Sequence, residues 1–162
     1  MTHHSLIPFA LAVTLSIALA ASGQVVPPKI PNEVSTRLKQ DRFETVTSIR
    51  GLPLGVRDAL QDLFGTNTLD IAEPGEPFRA TDVVVDPKLP VRRLRLAACS
   101  MEYCIVYYER GGIAHTWHAA VFHWTPAVTR LEWGGFASGS LRTVDELRNA
   151  MLSGAIKASN SW

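Results

Sequence analysis

The sequence predicts an α+β protein in which a four-stranded antiparallel meander sheet, about residues 91–137, carries amphipathic helices packed on one face. Three observations predict it. The stretch from Val91 to Phe136 is rich in β-branched and aromatic residues alternating with polar ones, the period of strands. Short turn signals divide that stretch into segments of strand length. Segments on either side place apolar residues at helical spacing.

The turns suggest a register. Gly111-Gly112 reads as a two-residue hairpin turn, since both positions are free to take positive φ. It would set Tyr108 opposite His115 and Val106 opposite Trp117. A four-residue loop from Ser100 to Tyr103 sets Cys99 opposite Cys104 and Arg95 opposite Tyr108; a second from Pro126 to Thr129 sets His123 opposite Glu132. In this register Leu94, Leu96, Ile105, Tyr107, His118, Phe122 and Trp133 share an apolar face, and a one-residue slip would turn every side chain over. The other face collects Arg93, Arg95, Tyr108, Arg110, His115 and Trp117.

Outside the sheet, the segments "EVSTRLKQ" and "DRFETVTSIRG" are expected to be helical, with Asp41 and Glu44 spaced as an N-cap and its partner. In "LPLGVRDALQDLFG", Val56, Ala59, Leu60, Leu63 and Phe64 form one stripe and Gly65 provides a stop. The Pro- and Gly-rich "TNTLDIAEPGEPFRATD" reads as loop, and Val83 to Val85 as a short edge strand. "TVDELRNAMLSG" begins with a capping box from Thr143 to Glu146 and ends at Gly154.

The domain organisation follows. Residues 1–23 contain an uncharged apolar run from Leu6 to about Ala21 followed by small residues, which is the pattern of a cleaved export signal. An uncleaved anchor is the alternative, because His3 and His4 stand where Lys or Arg is usual. Residues 24–32 form a proline-rich lead, 33–155 a single α+β domain and 156–162 a loose tail. The expected location is therefore the periplasm or extracellular space, with no stable membrane association after cleavage. A formal net charge of +1 gives no reason to expect a nucleic-acid partner.

In an oxidising compartment, Cys99 and Cys104 are expected to form a disulfide across their hairpin. On a strand, His115 and His118 point to opposite faces, and His115 and His123 stand about 26 Å apart, so no shared metal site is expected. The chain carries no G-x-S-x-G, H-E-x-x-H, P-loop or dinucleotide fingerprint, and no cofactor or catalytic residue is assigned. Arginine, tyrosine and tryptophan are the types that interfaces favour. The sequence therefore points to a non-catalytic binding module whose Arg93, Arg95, Tyr108, Arg110, His115 and Trp117 face takes a protein partner or a small anionic ligand. A secreted hydrolase using His115 or His118 as general base is the alternative. The same face would instead be core if residues 25–50 fold over it.

Overall fold

The structure, a computed structural model, describes residues 25–83 and 86–162. The expected export signal lies outside the described residues, as do Val84 and Val85 of the expected edge strand; Val83 sits in a bend. The fold is α+β, with three α-helices and a six-stranded antiparallel sheet in simple sequence order among these residues. The elements are α1 (Asn32–Gln40), β1 (Glu44–Val46), α2 (Leu54–Phe64), β2 (Arg92–Cys99), β3 (Tyr103–Arg110), β4 (Thr116–Trp124), β5 (Thr129–Ala137), α3 (Val144–Leu152) and β6 (Lys157–Ala158).

Two short strands extend the expected meander from four strands to six. The first is β1. The expected helix over "DRFETV" is extended instead: Asp41 ends α1, and Glu44, Thr45 and Val46 pair with Cys99, Ala98 and Ala97. β-branched Thr45 and Val46 favour a sheet edge over a second helix. The second addition comes from the expected loose tail, where Lys157 and Ala158 pair with Phe136 and Gly135 and Ile156 is buried. The proline-rich lead is also tied down, for Val26 is buried and its amide donates to Asn160 Oδ1 at 2.6 Å.

Helices cover both faces of the sheet, not one. Val34 and Leu38 of α1 and Leu147 and Met151 of α3 pack on Ala98, Ile105, Tyr107, Ala119, Val121 and Trp133. Val56, Leu60 and Phe64 of α2 pack on Leu94, Ala97, Val106, Tyr108, Ala120 and Phe122 of the other face. A central strand buried on both sides need not alternate, and β3 is buried from Tyr103 through Glu109. Each fully buried large aliphatic side chain contributes roughly 1.5–3 kcal/mol, so the α2 stripe alone accounts for several. The helix stops at Gly65, whose φ of 64° is left-handed. α3 starts where Thr143 Oγ1 accepts from the Glu146 amide at 3.1 Å.

The expected register holds at the first hairpin, with Cys99 opposite Cys104, and fails beyond it in three places. A bulge at Arg95 puts Leu94, not Arg95, opposite Tyr108. Gly111 and Gly112 are not the two central residues of a tight turn: Arg110 pairs with Thr116, so a five-residue loop joins β3 to β4. Gly111 serves close approach, because a Cβ there would lie 1.8 Å from the Arg79 carbonyl oxygen, and Gly112 takes a positive φ of 111°. The three-residue shift is odd, so every β4 side chain faces opposite to expectation. In the last hairpin His123 pairs with Arg130, and a further bulge separates Leu131 from Trp133.

Candidate functional site

The register correction divides the expected Arg/Tyr/His/Trp face between the two sides of the sheet. On the α1/α3 side, at the Arg110 end of β3, stands Glu109, which is only 3% exposed. Arg93 and Trp117 are its direct neighbours on β2 and β4. Glu109 Oε1 accepts from Arg93 Nε at 2.7 Å and from Arg95 Nη1 at 3.4 Å, while Oε2 lies 2.8 Å from His115 Nε2. A buried carboxylate requires such partners.

Aromatic rings frame these charges. The His115 ring stacks on Trp117 at 4.4 Å between centroids and 20° between planes, and the Phe78 ring lies 5.9 Å from His115. Arg93 sits over Phe78 at 4.4 Å and donates to the Glu76 carbonyl oxygen. The loop after β5 closes against Trp117 at Gly139, where a Cβ would come 2.6 Å from the indole. Tyr107 helps hold that loop by donating to Ser138 O at 2.6 Å, and burial pushes its phenol up to about 12. The Arg95 and His115 side chains each keep 37% of their surface exposed.

Tyr108 and Arg110 belong to the α2 side. Tyr108 is fully buried against Phe64 and His118, and desolvation raises its pKa. Arg110 is paired in register with Arg92. Arg92 is anchored to Asp70 Oδ2 at 2.9 Å and to Trp162 O at 3.1 Å, with its guanidinium over the Phe64 ring. His118 is fully buried, and its pKa is lowered to about 4, first by desolvation and then by Arg110 and Arg92. Its Nε2 lies 2.9 Å from Thr116 Oγ1. These residues bind the sheet to α2 and to residues 70 and 162.

Of the six expected binding residues, Arg93, Arg95, His115 and Trp117 therefore converge, whereas Tyr108 and Arg110 point away. What covers Tyr108 is chiefly α2, not residues 25–50. Glu109 was missed by the sequence reasoning. Its signal was available: it is the one acidic residue in "YCIVYYER", which apart from the final Arg110 is otherwise apolar and aromatic. Cys99 and Cys104 are bridged. Among the described residues, no group of three or more His, Cys, Asp or Glu could hold a metal ion, and no helix is long and apolar enough to cross a membrane. Comparison with protein-family models, curated proteins and solved structures finds no match.

Proposed function

We propose that this protein is an exported, non-catalytic binding module that takes an anionic group, a carboxylate or phosphate, at Arg93, Arg95 and His115 beside Trp117. One observation carries the reading. Two guanidiniums and an imidazole converge on the single carboxylate of Glu109, which leaves the cluster with a surplus of positive charge and of N–H donors. The exposed parts of Arg95 and His115 offer that surplus to solvent, while the buried Glu109 fixes their positions in advance. Trp117 and Phe78 add flat apolar surface for the body of the ligand. The disulfide and the absence of a long apolar helix among the described residues are compatible with export.

Titration with benzoate and phenyl phosphate, followed by NMR of the Trp117 indole, tests the proposal. Saturable shifts are expected with both anions and not with benzylamine, and Arg95→Ala should weaken binding at least about tenfold. Unweakened binding by Arg95→Ala, or equal binding of benzylamine, sinks it.

The Glu109–His115 contact of 2.8 Å supports a second reading, since a carboxylate and the imidazole it orients are also two of the three members of a hydrolytic triad. His115 is the better base of the two considered, because His118 is sealed from solvent. Turnover of ester, peptide or glycoside substrates that disappears in His115→Ala would establish this alternative.

A further inference from the structure

At the far end of β4 from Glu109, one side of α2 and the β4–β5 hairpin border a concavity of about 440 Å³. That volume falls in the range of small-ligand sites, about 300–1,000 Å³. The helix can lie this close because residue 55 is glycine: a Cβ there would come 2.2 Å from Thr129 Oγ1. Pro53, Ala59, Trp124 and Pro126 give the cavity apolar walls, and its rim carries Leu54 and Val128, which are 64% and 55% exposed. Two large aliphatic side chains left this bare beside one cavity form a patch suited to an apolar ligand.

The two charged residues that line it are both acidic. Asp58 and Asp62 line the cavity and are exposed. Neither carboxylate takes part in an ion pair or side-chain hydrogen bond with the described residues. Like charges spaced i, i+4 on a helix repel and weaken it, so the fold gains nothing from holding this pair together. A cation between them would offset that cost, and the Trp124 ring beside them supplies the aromatic surface that cations favour.

We propose that this cavity binds a small organic cation, an ammonium or guanidinium carried on an apolar body. The carboxylates of Asp58 and Asp62 take the charged head, and Trp124, Leu54 and Val128 take the body. The site is separate from the Glu109 cluster: Trp117 and Trp124 lie about 23 Å apart along β4, with Trp117 on the α1/α3 side and Trp124 on the α2 side.

The probes are 4-phenylbutylamine and 4-phenylbutyrate, which share a body and differ in charge, titrated into the chain while the Trp124 indole is followed by NMR. The amine should give a saturable shift and the acid none. The double variant Asp58→Asn/Asp62→Asn should weaken amine binding at least about tenfold. It should leave the unfolding curve unchanged or slightly improved, because both side chains are exposed. Equal affinity for the two probes, undiminished binding by the double variant, or no saturable shift up to about 10 mM amine overturns the proposal. A lysine-containing leucine-rich hexapeptide that binds where the amine does not would also overturn it, reassigning the cavity to a protein partner.

Discussion

Tyr108 and His118 stand directly opposite each other on β3 and β4, both fully buried, with their rings 5.1 Å apart and only 7° from parallel. Burial, together with Arg110 and Arg92, lowers the His118 pKa from 6.5 to about 4. Between those values the unfolded chain binds a proton that the folded chain refuses, so stability rises with pH across this window. The contribution is complete above pH 6.5 and lost as pH falls toward about 4. It amounts to about 3 kcal/mol on an order-of-magnitude scale. Urea unfolding at several pH values should show a flatter slope in this window for His118→Gln than for the parent.

Arg95 and Glu109 should respond very differently to substitution. Arg95 is partly exposed, so its ion pair is screened, and Arg95→Ala should cost less than about 1 kcal/mol in a urea melt. Glu109→Gln removes the charge that Arg93, Arg95 and His115 share. It should cost about 2 kcal/mol, below the range for a fully buried pair because the partners touch solvent. Equal losses in the two variants would mean that Glu109 does not organise the cluster.

The disulfide closes a short loop, with Cys99 and Cys104 five positions apart. Loop-closure entropy for so short a segment gives about 2 kcal/mol, so a reducing agent should lower the unfolding midpoint without unfolding the protein at 25 °C. Unfolded, unreduced protein should show no reactive thiol.

Gly135 should tolerate no side chain. A Cβ there would sit 2.0 Å from the Lys157 carbonyl oxygen, a backbone atom that cannot swing aside. Gly135→Ala should push β6 off the sheet and loosen buried Ile156, at a cost of about 2–4 kcal/mol. Faster hydrogen exchange confined to residues 156–160 would locate the damage. Unchanged exchange there would mean that β6 adapts.

What could be read from the sequence was local. The stripe Val56, Leu60, Phe64 and the Thr143 cap needed only neighbouring residues, and each formed as expected. The Cys99–Cys104 hairpin was legible because its loop is short and hydrogen-bonded within itself, Ser100 N donating to Tyr103 O. The β3–β4 register was not legible, because Gly111 is shaped by Arg79, a residue 32 positions earlier whose approach leaves no mark in the turn itself. The candidate site was half legible for the same reason. Arg93, Arg95, His115 and Trp117 belong together as expected, but Tyr108 and Arg110 join them only in a register that lacks both the Arg95 bulge and the five-residue β3–β4 loop. Glu109 stands out within β3 as its one acidic residue, but its partners converge from β2 and from the β3–β4 loop, which only the folded chain brings together.

The bulge at Arg95 acts as a phase shift in the strand. On its C-terminal side the even-numbered Leu96 and Ala98 belong to the α1/α3 layer; on its N-terminal side the even-numbered Leu94 belongs to the α2 layer. On that N-terminal side Arg93 reaches Glu109 and Arg92 reaches Asp70. Removing Arg95 would erase the bulge and leave Leu94 opposite Tyr108 and Arg93 opposite Glu109 in an unbroken ladder, so in any related chain a one-residue gap at this point would predict a straight strand that keeps the Arg92–Asp70 and Arg93–Glu109 pairs and loses only the Arg95 contact.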